Sequence, residues 1–185
     1  MKSGYSRGAM PSPVGHGLAA VAIGWAVAGP AGERGARWRQ AATLAAIGAA
    51  PDLDLLVGRH SAETHSVGAA LLVASVAAWR LWPVAPIGAA RWRVWLAVFL
   101  AWLSHPILDA LALDTSPPLG VMLFWPFASG YHQTGWSVFA AISRRYWLPE
   151  FVTYNAIALL RELAILVPGV ATAFIARRAR PRQAG

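Results

Sequence analysis

The chain has no cysteine among its 185 residues. Disulfides, thiolate metal sites and a cysteine nucleophile are therefore excluded, while the redox state of the compartment stays open. Charged residues are also scarce, at 13% of the chain against ~25% in average globular proteins. Only 8 residues are acidic. Internal repeats and low-complexity linkers are absent from the sequence as well, so we predict one domain over residues 1–185.

Apolar residues take the place of the missing charges. They make up 57% of the chain, the mean hydropathy is +0.46, and ten residues are tryptophan, which favours membrane–water interfaces. This composition predicts a membrane protein whose partner is the lipid bilayer. The net charge of +8 would suggest nucleic acid in a soluble protein, but here the arginines lie between apolar segments. We therefore expect no nucleic-acid partner and infer no obligate protein partner.

Five apolar stretches are candidates for membrane-spanning helices, which need ~20 mostly apolar residues each. They cover residues 13–29, 41–58, 66–82, 94–113 and 156–176. The second stretch is the weakest, because Pro51 and two aspartates interrupt it, so four spans and a re-entrant piece are an alternative. The predicted fold is all-α: a polytopic membrane helical bundle of about five transmembrane helices. A re-entrant or irregular proline-rich segment is expected after the fourth.

Arginine-rich connections predict the orientation, because basic residues favour the cytoplasmic side. Three clusters fall on one face: Arg34, Arg37 and Arg39; Arg80, Arg91 and Arg93; Arg177, Arg178, Arg180 and Arg182. The N-terminus is then outside and the C-terminus inside, with Arg144 and Arg145 as a minor violation. We expect a multi-pass protein of the bacterial inner membrane whose first helix is retained and not cleaved as a signal peptide.

The same topology gathers the scarce metal-ligand residue types near the outer ends of the spans. These residues are His16, Asp52, Asp54, His60, His65, His105 and Asp109. In "SHPILDAL", His105 and Asp109 are at i and i+4 and share one helix face, next to a proline that should kink the helix. Asp52 and Asp54 share a face only if the backbone is extended, and capping a helix end is their alternative role.

Considered together, these residues predict a metal site. A charged side chain at mid-span costs on the order of 2.5–3.5 kcal/mol, so each carboxylate needs a partner. Histidine nitrogen with carboxylate oxygen suits a divalent metal, Zn above all, with Mn or Fe as alternatives. Six candidate ligands are enough for one or two ions: His16, Asp52, Asp54, His65, His105 and Asp109.

Four other polar residues have open roles. His60 is a candidate catalytic residue, either as an outer ligand or as a proton carrier. Arg161 is a candidate for binding a substrate phosphate, although extension of its side chain to the membrane surface is the alternative. Glu162 is an extra ligand or a general base in one interpretation. His132, among turn formers in "SGYHQTGW", is expected in a solvated loop.

Four motifs in register carry a family resemblance: "PDLDLL", "HSAETHS", "SHPILDAL" and "PLGVMLFWPF", preceded by an early Gly-His pair at His16. In their order and spacing they resemble the YdjM-like family, a LexA-regulated group of membrane-bound metal-dependent hydrolases. The ligand order is also similar to that of zinc phospholipase C and related single-strand nucleases. The family usually has His-Arg-Gly where this chain has His60-Ser61-Ala62, which puts the substrate class in doubt, although Arg59 is adjacent.

The resemblance implies a membrane-bound metal-dependent hydrolase. We expect a phosphoesterase that acts on a phospholipid or another lipid-linked or outer-face substrate, with a metal-activated hydroxide as the nucleophile. Two other functions use the same residues. One is a divalent metal-ion carrier, and the other is a non-catalytic structural or regulatory membrane protein in which polar side chains only join helices.

Overall fold

The computed structural model describes residues 10–80, 91–112, 114, 117–143 and 145–179, and its regular structure there is entirely helical. The five α-helices are α1 (Pro13–Ala28), α2 (Arg34–Ala49), α3 (Val67–Arg80), α4 (Arg91–Ala110) and α5 (Phe151–Arg178). Two 3-10 helices, Ala50–Val57 and Glu63–His65, separate α2 from α3. The described residues between α4 and α5 form turns and two isolated bridges. An irregular proline-rich segment after α4 was predicted, and the structure agrees.

Local sequence sets where these helices begin and end. Ser12 caps α1, because its hydroxyl accepts a hydrogen bond from the Gly15 N–H at 3.0 Å. Ser66 caps α3 in the same way through the Ala69 N–H. The predicted stretch 41–58 is not one helix. Helix α2 ends at Ala49, and the chain continues as a 3-10 helix. The reason is Pro51, which has no N–H to donate and collides with the preceding turn.

Close packing between α1 and α2 depends on small residues. A Cβ on Gly48 would lie 2.4 Å from the Ala20 Cβ, and one on Gly24 would lie 2.5 Å from the Leu44 side chain. Helix α1 also packs against α4 and α5, and α4 packs against α2 and α3. Backbones approach closely where side chains are absent, which is typical of helix contacts in membranes.

Contacts at both ends of α1 fix the helix directions. Ser12 and Glu162 join the start of α1 to the first half of α5, and Arg177 donates to the Ala26 carbonyl at the other end. Helix α2 runs antiparallel to α1, since Trp25 bonds Gln40. One end of the bundle therefore contains the starts of α1, α3 and α5 and the ends of α2 and α4.

Large apolar side chains are exposed while polar ones are buried. The largest fully buried side chains include His16, His65, His105 and Glu162. Large apolar residues along α3 and α5 are exposed instead, including Leu72, Trp79, Val152, Ile157, Leu160 and Ile175. This distribution is the reverse of that in a water-soluble core.

Among the described helices, only α5 is long and apolar enough to cross a membrane, with 28 residues and a window hydropathy of 1.8. Helices α1 and α3 are apolar but have only 16 and 14 residues. The all-α fold with five helices is confirmed, whereas five membrane crossings stay a prediction.

Most arginines of the described helices lie at the end of the bundle opposite the buried histidines. They lie at the starts of α2 and α4 and the ends of α3 and α5: Arg34, Arg37, Arg39, Arg80, Arg91, Arg93, Arg177 and Arg178. Arg59, Arg145 and Arg161 are at the other end. Arg144, Arg180 and Arg182, used in the orientation argument, lie outside the described residues.

Candidate metal centre

A cluster of histidine and aspartate side chains is buried where α1 begins and α2 and α4 end. His16 lies in the first turns of α1, and Asp52 lies in the 3-10 helix that follows α2. His65 ends the second 3-10 helix, while His105 and Asp109 occupy the last turns of α4. The three histidines are fully buried, and Asp109 is 2% exposed. The predicted convergence of these five residues is therefore present in the structure.

Several pairs of donor atoms among four of these residues lie at distances that suit ligands of a metal ion. The His65 Nε2 lies 3.1 Å from the His105 Nε2, and the Asp109 Oδ2 lies 3.4 and 3.3 Å from these two nitrogens. The Asp52 Oδ1 lies 3.5 Å from the His105 Nε2 and 3.8 Å from the His65 Nε2. Four ligands ~2.0–2.1 Å from a tetrahedral zinc ion would be about 3.3–3.4 Å apart. The observed distances bracket that value.

His16 extends the cluster on one side. Its Nε2 lies 3.3 Å from the Asp109 Oδ1, and its ring stacks on the His105 ring with centroids 3.6 Å apart. Within the described residues, five buried side-chain atoms have no hydrogen-bond partner: both ring nitrogens of His16, the Asp52 Oδ1 and both oxygens of Asp109. Buried polar atoms are rarely left without partners, because burial without a hydrogen bond costs free energy. A cation among these atoms would satisfy most of them together.

In the His105 and His65 rings, the contacts made by Nδ1 leave Nε2 as the nitrogen that could bind a metal ion. The His105 Nδ1 donates to the Gly48 carbonyl at 2.6 Å, and the His65 Nδ1 lies 3.0 Å from the Thr64 hydroxyl and 3.1 Å from the Asp54 Oδ2. Because Nδ1 makes these contacts, the two Nε2 atoms face each other at 3.1 Å. Two facing nitrogens repel unless a metal ion or a proton lies between them. Hydrogen bonds of this kind commonly orient histidine ligands.

Asp54 occupies a different place from Asp52, a distinction that the spacing alone left open. Asp52 faces the Nε2 side of His65, whereas Asp54 bonds its Nδ1 side. The other Asp54 oxygen accepts from the His60 Nδ1 at 3.0 Å. The three groups whose donor atoms could hold an ion are His16, His105 and Asp109; Asp52, His65 and His105; and Asp54, His60 and His65.

The pKa values of the two aspartates of the first 3-10 helix are lowered, which favours their ionised form. Burial alone would raise the pKa of the Asp52 carboxyl, but the adjacent His105 and His65 rings hold this pKa well below its usual range. Burial is likewise outweighed at Asp54, where hydrogen bonds from His60 and His65 lower the pKa. Carboxylates in this state can bind a metal without first losing a proton.

The other predicted site residues have separate fates. His60 is half-buried at the edge of the cluster, with its Nε2 beside the Met10 sulfur. Arg161 is exposed and donates to the Ser137 carbonyl at 2.7 Å. Within the described residues it makes no hydrogen bond or ion pair with the cluster, so its contact with a phosphate stays a prediction. His132 is exposed in the irregular segment, as expected.

Glu162 has a role that the sequence did not indicate. Its carboxylate is fully buried and accepts from the Ser12 N–H at 2.7 Å, and its second oxygen accepts from the Ser12 hydroxyl. Both oxygens are thereby used to hold α5 against the start of α1, close to His16. Ser12 is a recognisable capping residue, but nothing in the sequence shows that its partner is 150 residues away.

Replacing Glu162 with Ala should lower the free energy of unfolding by about 1–3 kcal/mol, since two buried donors of Ser12 lose their acceptor. Denaturant unfolding in mixed micelles measures this change. Glu150→Gln, at an exposed carboxylate just before α5, is the control and should leave stability unchanged. Equal stability of the Glu162→Ala protein and the wild type would contradict the role assigned to this contact.

A pocket of about 440 Å³ includes His60 in its lining. One wall is formed by residues 58–62, and the other includes Asp114, Pro117, Pro118 and Tyr131. The two walls are joined by a hydrogen bond from the Met122 N–H to the Ser61 carbonyl. Because the His60 Nδ1 is 4.0 Å from the Asp52 Oδ1, the pocket lies next to the cluster.

The helical fold and the buried donor cluster together define a class: an all-helical protein with groups of histidine and aspartate that could hold a metal ion. The chain belongs to the YdjM inner membrane protein family, which it matches over residues 10–182. The resemblance based on the four motifs is thus confirmed. No curated protein and no solved structure matches the chain. Similarity to zinc phospholipase C stays a prediction.

Proposed function

We propose that this protein is a membrane-bound metal-dependent hydrolase, and specifically a phosphoesterase that acts on a lipid-linked or outer-face substrate. The observation that carries this proposal is the set of buried donor atoms around one point, several of which have no hydrogen-bond partner. The Nε2 atoms of His65 and His105 and the carboxylates of Asp52 and Asp109 would hold the ion, with His16 next to Asp109. Mixed nitrogen and oxygen donors favour zinc, with Mn or Fe as alternatives.

When bound, a divalent ion supplies Lewis acidity and brings the pKa of water to near ~7, so that a nucleophile for phosphorus is available. The side chains around the ion orient its ligands and exchange protons. The Gly48 carbonyl and Asp54 fix the rings of His105 and His65. His60 lies between Asp54 and the pocket, where it can carry a proton to or from a substrate.

Two features of the described residues support a site on the outer face of the membrane. The cluster and most arginines lie at opposite ends of the bundle, and basic residues favour the cytoplasmic side. Exposed apolar side chains on α3 and α5 suit lipid around the bundle. The N-terminus would then be outside and the C-terminus inside, in a multi-pass arrangement.

The two alternative functions fit the geometry less well. An ion carrier needs polar groups at several depths. Among the described residues, the buried polar and charged side chains lie at one end of the bundle: Ser12, His16, Asp54, Ser61, His65, Ser66, Ser104, His105, Asp109, Asp114 and Glu162. A role limited to joining helices would pair the polar atoms with each other, whereas both Asp109 oxygens lack hydrogen-bond partners.

Metal analysis and hydrolysis measured on one preparation test the proposal. The full chain, purified in detergent without chelator, should contain one or two divalent ions and cleave bis-p-nitrophenyl phosphate. Dialysis against a chelator should remove both the ion and the activity, and added zinc should restore them. A metal-free protein would contradict the proposal, as would a metal-loaded protein that hydrolyses no phosphate ester but releases the ion across vesicles.

A further inference from the structure

The pocket beside His60 has polar residues in its lining and exposed apolar residues next to it in the chain. Arg59, His60, Asp114 and Tyr131 are among the lining residues. Both walls continue directly into exposed apolar residues: Val57 precedes Gly58 and is 74% exposed, and Leu119 follows Pro118 and is 50% exposed. A ligand in this pocket therefore lies next to polar side chains, Arg59 among them, and close in the chain to exposed apolar ones.

The first 3-10 helix carries acidic residues and exposed apolar residues a few positions apart. Asp52 and Asp54 face the buried cluster, while Leu53, Leu56 and Val57 on the same short helix are 63%, 83% and 74% exposed. Gly58 then ends the helix in the left-handed conformation, with φ of +70°, and the chain turns into the pocket wall. Isolated exposed apolar residues are ordinary, but three within five residues next to a polar pocket form a patch that water does not favour.

We propose that the pocket binds the phosphate headgroup of an amphiphilic phosphate ester, and that Leu56, Val57 and Leu119 contact its acyl chain. The inference deepens the proposed function, on which it rests for the reaction, by selecting a lipid over a water-soluble outer-face substrate. A volume of about 440 Å³ is enough for a headgroup but not for whole acyl chains, which would lie along the exposed apolar residues.

Arg59 is the residue that would recognise the phosphate. Arg59 lines the pocket, and its guanidinium contacts the Glu63 carboxylate while the side chain stays 66% exposed. A guanidinium has five N–H donors, so it can keep this pair and still bind phosphate oxygens. The next residue, His60, lies at the edge of the cluster, with its Nδ1 3.0 Å from the Asp54 Oδ1.

Binding can be measured apart from hydrolysis. The full chain in amphipol, treated with chelator so that no turnover occurs, is titrated with a fluorescent dihexanoyl phosphatidylcholine below its aggregation concentration. Glycerophosphocholine and inorganic phosphate serve as headgroup-only competitors. The lipid should bind, and the competitors should displace it at least about tenfold more weakly than unlabelled lipid, since they lack the apolar contact.

Matched variants locate the contact. Val57→Ser should raise the dissociation constant for the lipid about fivefold and leave that for glycerophosphocholine unchanged. Val152→Ser is the control, because Val152 is an equally exposed valine, at 72%, on the first turn of α5. Arg59→Gln should weaken lipid and headgroup compounds alike, by about tenfold.

Each result bears on one of the two proposals. Equal lipid affinity for Val57→Ser and wild type, an equal loss in Val152→Ser, or headgroup compounds as potent as the lipid would each overturn the inference. A metal-loaded protein that cleaves soluble phosphodiesters but binds no lipid would leave the hydrolase function standing and remove this inference. If a protein that never retains metal bound the lipid with the expected variant pattern, this inference would stand and the hydrolase function would be removed.

Discussion

Replacing Asp109 with Asn should remove the bound metal ion and phosphodiester hydrolysis together. One oxygen of the Asp109 carboxylate faces His16, and the other faces the Nε2 atoms of His65 and His105. Asn keeps the shape but loses the negative charge and one acceptor. Loss of metal affinity should exceed about 100-fold, more than outer partners of ligands typically cost. Metal content per chain after gel filtration, with activity on the same fractions, measures it.

Two further carboxylate variants make this test quantitative. Asp54→Asn should weaken metal binding by only about 10–100-fold, because Asp54 orients the His65 and His60 rings from behind. Glu33→Gln, at the start of α2, should bind metal like the wild type. An Asp109→Asn protein that folds and keeps its metal would refute the ligand set. An Asp54→Asn protein as depleted as Asp109→Asn would move Asp54 into that set.

The residues of the cluster could be predicted from sequence because two independent patterns agree. Arginines in the connections predict the helix directions, and those directions bring His16, Asp52, His65, His105 and Asp109 to one end. The i, i+4 spacing of His105 and Asp109 fixes a shared face on any helix, and the structure has these side chains 3.3 Å apart. Both arguments depend only on local geometry or on charge, which the sequence contains.

The choice between Asp52 and Asp54 depends on information that the sequence lacks. Two residues at i and i+2 take different directions in an extended chain and in a 3-10 helix. Pro51 explains why the α-helix stops, but the path of the following turn depends on contacts with α4 and the segment at 58–62. The same holds for Glu162, whose partner Ser12 is distant in sequence and is found only once α1 and α5 are packed.

Membrane spans were the least predictable feature, for a related reason. Hydropathy measures the length of an apolar stretch, whereas helix length depends on caps and prolines. The stretch at 66–82 becomes a described helix of 14 residues, and α2 carries three arginines in its first turns. The topology stays a prediction, and reporter fusions at the C-terminus test it. A C-terminus located outside would contradict the predicted orientation.

Replacing Gly48 with Ala should damage the cluster from a position that is not itself a ligand. The added methyl group would lie 2.4 Å from the Ala20 Cβ and 2.7 Å from the His16 carbonyl oxygen, both on α1. Neither neighbour is a flexible side chain, so α1 and α2 must separate. The free energy of unfolding should fall by about 1–3 kcal/mol, as for other overpacked sites. Denaturant unfolding in mixed micelles measures this loss.

The same substitution should weaken metal binding for two geometric reasons. Separation of the helices moves His16, and it also displaces the Gly48 carbonyl that holds the His105 Nδ1 at 2.6 Å. Metal affinity should be compared at a temperature at which both proteins are folded, so that a loss of affinity is separate from a loss of stability.

Gly169→Ala is the matched control, since Gly169 lies within α5 and its added methyl would have its nearest neighbour, the Ala22 Cβ, at 3.9 Å. There the change should leave metal binding intact and stabilise the helix by up to about 1 kcal/mol. If Gly48→Ala retained wild-type affinity and stability, α1 and α2 would not be packed as closely as the structure shows. If both variants lost affinity equally, the effect would belong to helix glycines in general, and the Gly48 carbonyl would have no special part in orienting His105.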